Sequence, residues 1–306
     1  MKHKIHETQD RCNKKEEKPV GGIIMASFID TDIGSDVDDS IALLYALSCL
    51  NIGGITTVHG CARKRAQIAR KILKSVGPNL PSPSKKFAEF PPIPPIHAGS
   101  DKPLCLEKIY LYGHEGKGIL DGKEPAPVNG AAEFLARTIQ SGDDIFCIAP
   151  LTTIARAIQL NPFFSSRLER IYLMGGIVKT DNGYAPDKTS HNFKVDPHAT
   201  DIIFANQAPI SVLTTEIGKK VYLTLDDFNS LPQGKPFDYI RANAACFFSA
   251  RGQDRAYMYD PLTIMLKSKP EFFSLETRGS ITITTGVDAP KAKTHLLETL
   301  INAFIT

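Results

Sequence analysis

Hydrophobic and polar positions alternate between two periods along most of the chain. The run from Ile23 to Ile29 is apolar and reads as a buried strand, and Ser40 to Leu50 carries the spacing of an amphipathic helix. Ile52 to Gly60 is β-branched and broken by glycine, which predicts a second buried strand. Arg63 to Val76 predicts a basic amphipathic helix stopped by Gly77-Pro78. Residues 78–95 are rich in proline and serine and read as an extended connection, after which Pro94 to Gly99 rejoins the sheet as a short strand. Further strands are predicted at Asp144–Ala149, Arg170–Met174, Pro209–Thr214 and Ile281–Thr285. Helices are predicted at Val128–Gln140, Leu151–Leu160, from Pro197 onward, Phe237–Ala250, Asp260–Lys267 and Lys293–Phe304. Strands alternating with helices at this spacing predict an α/β fold, a mainly parallel open sheet, Rossmann-like, with helices on both faces. No internal repeat or clear linker interrupts the pattern. Residues 22–306 therefore read as a single domain behind a disordered polar leader, 1–21.

Composition narrows the setting. The chain is 42% hydrophobic and 23% charged, ordinary for a globular protein, and its net charge of +3 demands no nucleic-acid partner. No stretch is apolar enough to span a bilayer, and the polar leader lacks the apolar core of a secretory signal. Six cysteines are scattered without paired spacing, which reads as buried free thiols and a cytoplasmic location.

The chemistry concentrates where the first strand gives way to the first helix. Asp30, Asp32, Asp36, Asp38 and Asp39 fall within ten residues around Gly34. Carboxylates at the carboxyl end of a strand lie where open α/β sheets bind ligands. Like charges this close raise one another's pKa unless a cation compensates, and hard divalent ions prefer carboxylate oxygens. An EF-hand loop is excluded, because Gly34 stands at the wrong position counted from Asp30 or from Asp32. Asp30-Thr31-Asp32 after an apolar strand resembles the nucleophile motif of haloacid dehalogenase-like phosphatases, although Gly34 stands where that motif carries Thr or Val. The blandest reading is a solvated or calcium-stabilised acidic turn without catalysis.

The whole run from Asp30 to Ser40 resembles the signature of the inosine–uridine-type nucleoside hydrolases, in the bacterial-type subgroup with a two-residue longer turn. The likeness continues in order through Gly54–Gly60, Gly113-His114-Glu115-Gly116, Ala149-Pro150-Leu151-Thr152, Leu173–Gly176, Asn192–Pro197 and Asp260-Pro261-Leu262. The loop at Gly113–Gly116 reads equally as a mobile loop near the site and as a plain surface turn; it fits no phosphate cradle.

The resemblance implies Ca²⁺-dependent hydrolysis of the N-glycosidic bond of a ribonucleoside or related N-riboside. It places Asp32, Asp39, Asp260 and the carbonyl of Ile148 on the ion, and Asp32 as the general base for a water held there. It gives Asp38 to the ribose 2′-hydroxyl and puts Met174, Asn182 and Asn192 along the sugar. It also implies a homo-oligomer, dimer or tetramer. Three positions depart from the family: Cys61 and Ser190 replace sugar-gripping residues, and Tyr259 replaces a histidine that assists the leaving base. Each charge-assisted hydrogen bond lost costs about 1.5–3 kcal/mol. The expectation is therefore either shifted specificity, with Tyr259 as a weaker acid, or a non-catalytic riboside-binding relative. Asp36, the extra carboxylate of the longer turn, is expected to cap the first helix.

Overall fold

The computed structural model describes residues 25–76, 93–105, 108–206 and 208–304. The polar leader, the Gly77-Pro78 stop and most of the connection at 78–95 lie outside the described residues.

The chain opens with β1 (Ser27–Thr31), α1 (Asp38–Cys49), β2 (Ile52–Thr57), α2 (Ala62–Val76) and β3 (Ile96–Ala98). After β4 (Val128–Asn129) come α3 (Ala131–Thr138), β5 (Asp143–Cys147), α4 (Thr152–Leu160) and α5 (Phe164–Arg167). A hairpin of β6 (Leu168–Thr180) and β7 (Gly183–Asp187) precedes α6 (His191–Val195), α7 (Pro197–Phe204) and β8 (Ile210–Thr214). Then follow α8 (Thr215–Gly218), β9 (Tyr222–Leu223), α9 (Leu225–Asn229), α10 (Phe237–Arg251) and β10 (Ala256–Tyr257). The chain closes with α11 (Tyr259–Ser268), the hairpin β11 (Phe273–Arg278) and β12 (Ile281–Val287), and α12 (Ala289–Phe304).

The main sheet has the order β11-β12-β8-β6-β5-β1-β2-β3-β4. Its strands pair in parallel except β11, antiparallel to β12, and β7, antiparallel to the far end of β6. The expected open, mainly parallel sheet is thus the observed one. From β1 the chain builds outward through β2, β3 and β4, then returns to β5 on the other side of β1 and builds the opposite way. The reversal opens a crevice at the carboxyl ends of β1 and β5, the place where such sheets bind ligands.

Burial follows the two-residue period of the strands. Phe28 enters the core that includes α3, α4 and α7, whereas Ile29 enters the core formed with α1, α2 and α11. All five residues of β1 are buried, as befits an interior parallel strand covered on both faces.

The structure differs from the sequence reading at several boundaries. The helix expected from Val128 begins at Ala131, because Gly130 adopts a left-handed conformation (φ 84°) and frees Val128–Asn129 to pair with β3. The strand expected to end at Met174 runs on to Thr180, where a two-residue turn, Asp181-Asn182, returns it as β7. The late strand at Ile281 has an antiparallel partner, β11, that its exposed, mixed composition concealed. Five described cysteines are free, but only Cys147 is fully buried. Among the described residues no helix is long and apolar enough to cross a membrane.

Candidate active site

β1 carries the acidic turn into the crevice, and the turn is held from below. The Thr31 hydroxyl accepts from the Ile33 amide at 3.1 Å and donates to Asp39. Gly34 has φ +107°, a backbone conformation that favours glycine, and a Cβ there would lie 2.5 Å from Ile68 Cδ1, so that side chain would have to move. Arg65 of α2, fully buried, donates to the carbonyls of His59 (2.8 Å), Ile33 (3.1 Å) and Asp32, and to the Ser35 hydroxyl (3.1 Å).

Two helix starts then bring carboxylates together. Asp38 and Asp39 occupy the first turn of α1 and Asp260 that of α11, and these two helices pack on each other. One oxygen from each of the three lies within 4.8 Å of the others, and the Asp260 amide donates to Asp38 Oδ2 at 3.3 Å. Burial pushes all three carboxyls well above the usual carboxylate range. Asp36 raises Asp38 further, Asp32 raises Asp39, and Asp38 raises Asp260. Helix N-termini favour negative charge by only about 0.3–1 kcal/mol, too little to offset removing three charges from water. A bound cation would supply the missing compensation. An all-oxygen carboxylate set fits Ca²⁺ or Mg²⁺, whereas zinc would favour histidine or cysteine.

A cavity of about 210 Å³ opens above this cluster. Of the residues expected in the site, Asp32, Asp38, Asp39 and Asp260 line it, together with Ile148, Met174, Asn192 and Tyr259. They come from the carboxyl ends of β1 and β5, the middle of β6, and the starts of α1, α6 and α11, which is how residues so distant in sequence meet. Asp32 is less buried than the three clustered carboxylates and stands outside their closest set. The Asn192 amide is turned to the carbonyl (3.3 Å) and sulfur (3.6 Å) of Met174. Burial and then Asp38 push the Tyr259 phenol above its ordinary range, which keeps its proton in place.

Three expected residues are absent from the lining. Asn182 sits exposed at the tip of the β6–β7 hairpin, carried there by the unforeseen extension of β6. Ser190 precedes α6 and its hydroxyl donates to the Asp187 carbonyl at 2.9 Å. Cys61 opens the approach to α2, where burial raises its thiol. Asp30, the nucleophile of the phosphatase reading, is also outside the lining. It is fully buried, accepts from the Thr56 hydroxyl at 2.6 Å, and points with Phe28 to the opposite face of the sheet.

Asp36 corrects another expectation. Val37, not Asp36, is the N-cap of α1, and no side chain caps that helix. The Asp36 carboxylate lines the cavity instead, 3.6 Å from the guanidinium of Arg251. Burial raises Asp36, and Arg251 partly opposes the effect. Arg251, Tyr112, His191 and Thr215 line the same cavity. The Arg251 guanidinium lies over the Tyr112 ring, 4.1 Å from its centroid. Nothing in the local sequence marks Arg251 as part of a site; before Gly252 it reads as an ordinary helix end. The glycine-rich loop belongs to the site's border rather than to a plain surface turn. His114 Nε2 contacts the Ser35 carbonyl at 2.7 Å, and Glu115 accepts from the amides of Tyr112 (2.7 Å) and Gly113 (3.0 Å). A larger cavity of about 550 Å³, between Gly99 and the start of α3, contains none of these carboxylates.

With the geometry in place, three comparisons bear on it. The family model described as inosine-uridine preferring nucleoside hydrolase matches residues 27–299. The pyrimidine-specific ribonucleoside hydrolase RihA of Salmonella agona is 30% identical over 83% of this chain and 85% of its own length. The probable uridine nucleosidase 2 of Oryza sativa subsp. japonica is 28% identical over 84% of this chain and 77% of its own. In fold, the chain is similar to an inosine-uridine preferring nucleoside hydrolase from Bacillus anthracis, with a TM-score of 0.68 at 17% identity, covering 91% of this chain and all of that one (100%). A match over nearly the whole sheet outweighs the three-residue likeness to a phosphatase motif.

Proposed function

Because the chain belongs to the inosine-uridine preferring nucleoside hydrolase family, and so hydrolyses N-glycosidic bonds of ribonucleosides, we propose that it does so with Ca²⁺ at the carboxylate cluster and Asp32 as general base. One observation carries this reading: Asp38, Asp39 and Asp260 converge, buried, in the cavity that Asp32 also lines. Asp39 and Asp260 would hold the ion with Asp32 and the Ile148 carbonyl, and Asp38, beside them, would accept from the ribose 2′-hydroxyl. The ion, when bound, grips vicinal hydroxyls and lowers the pKa of a water. Asp32, the most accessible of the four, would accept the proton of the attacking water. The surrounding carboxylates favour the positive charge that develops on the sugar as the glycosidic bond breaks. Asn192, with its amide nitrogen turned to Met174, keeps its side-chain oxygen for a sugar hydroxyl. Names of relatives that act on uridine or pyrimidine ribonucleosides make uridine the first substrate to test.

The test is ribose release by the purified, calcium-loaded protein across uridine, cytidine, inosine, adenosine and sugar-modified nucleosides. Turnover is expected for at least one of them, with loss on EDTA treatment and in Asp32→Asn. A loaded, folded protein that binds nucleosides yet releases no ribose from any of them would overturn the proposal.

A further inference from the structure

Breaking the bond between C1′ and the base nitrogen leaves the electron pair on the base. A cavity walled by Asp32, Asp36, Asp38, Asp39 and Asp260 opposes that negative charge unless a positive group stands beside the base. Histidine and arginine are the cationic side chains of the lining, present as His191 and Arg251. His191 is exposed and lies with its ring edge to Tyr110 (5.6 Å between centroids), whereas Arg251 is half-buried and permanently charged. Tyr259, a phenol with a reference pKa near ~10, is poorly matched to protonate a leaving group at neutral pH.

The setting of Arg251 fits the task. It stands at the last turn of α10, its plane held over the Tyr112 ring, and Asp36 faces it at 3.6 Å. Its Nε is buried and has no hydrogen-bond partner, and the facing Asp36 Oδ1 has none either. A guanidinium stacked on one face keeps its N–H edge directed in plane, a donor fork fixed before the substrate arrives. Donors placed in advance where charge develops are the largest single contribution to many enzymatic rates.

Resting on the nucleoside hydrolase reading above, we infer that Arg251 stabilises the departing base by donating to the ring carbonyl onto which the glycosidic electron pair spreads, and so selects bases that leave as carbonyl-bearing anions. The step balances without oxidation or reduction. Water's oxygen bonds to C1′ and gives a proton to Asp32; the C1′–N bond breaks; the base anion, held by Arg251, takes up one proton and leaves neutral beside free ribose. Uracil, with a carbonyl next to the glycosidic nitrogen, is the chemical type favoured.

Two substrates separate this role from that of a clasp between Asp36 and Tyr112. Uridine needs help at its leaving group; p-nitrophenyl β-D-ribofuranoside carries its own electron sink. In Arg251→Gln, kcat on uridine should fall about 100-fold or more, and on the nitrophenyl riboside by about fivefold or less. Arg251→Lys should recover part of the uridine rate, and circular dichroism of both variants should match the parent. Equal losses on the two substrates, or no loss on either, would overturn the inference. A parent protein that turns over neither substrate with calcium would instead overturn the hydrolase reading beneath it.

Discussion

Asp30 offers a measurement of how strongly the sheet resists charge. Its side chain is fully buried, and one oxygen accepts from the Thr56 hydroxyl. Burial dominates, with Thr56 and Thr153 opposing it and Asp32 adding to it, and the carboxyl is pushed up from 3.8 to about 7. The folded pKa lies above the unfolded one, so the stability tied to this proton is complete below 3.8 and is lost as pH rises through 7. At about 1.4 kcal/mol per tenfold change, the interval amounts to about 4 kcal/mol. Asp30→Asn keeps an acceptor for Thr56 and cannot ionise. Urea unfolding of both proteins in EDTA, from pH 4 to pH 8, should therefore show the variant gaining about 4 kcal/mol on the parent across that range, whatever its offset at pH 4. The comparison cancels the other buried carboxyls, which titrate in both. A parent–variant difference that stays constant with pH would show that Asp30 ionises as freely as in the unfolded chain.

Two further outcomes test the site from other sides. Calcium at a hundredfold excess over its Kd should stabilise the EDTA-treated parent by about 2.7 kcal/mol, read as a rise of several degrees in Tm. Asp260→Asn should lose most of that rise, and an undiminished rise would remove Asp260 from the ion's ligands. Gly218→Ala would place a Cβ 2.3 Å from Tyr259 Cδ1. It should cost about 1–3 kcal/mol in urea unfolding and raise KM for uridine, while an unchanged KM would mean that Tyr259 does not shape the cavity.

The legible part of the site was the part built from compact motifs. Asp32, Asp38 and Asp39 share one turn, and Asp260 is flagged by the proline that follows it, so their meeting could be foreseen from a strand end and two helix starts. Arg251 and Tyr112 are not legible in the sequence for a physical reason: Arg251 ends α10 and Tyr112 lies in a loop, and where either side chain lands depends on tertiary packing. Asp36 reads locally as a helix cap, because capping is a local tendency, whereas in the structure it faces a longer-range partner, Arg251. The β6–β7 hairpin turns at Asp181-Asn182, a polar pair followed by Gly183, which is a turn signal in the sequence. The hairpin carries Asn182, expected along the sugar, to its exposed tip.

Arg65 finally separates two properties that acidic sites usually trade against each other. Its guanidinium lies beneath the carboxylates and lowers Asp39 through space, yet it grips carbonyls and a hydroxyl rather than any of the carboxylates that line the cavity. It acts as a spectator charge: it eases the crowding of negative charge without occupying a single ligand oxygen. The shape of the turn thus rests on backbone and hydroxyl contacts, which leave every cavity carboxylate free of the guanidinium.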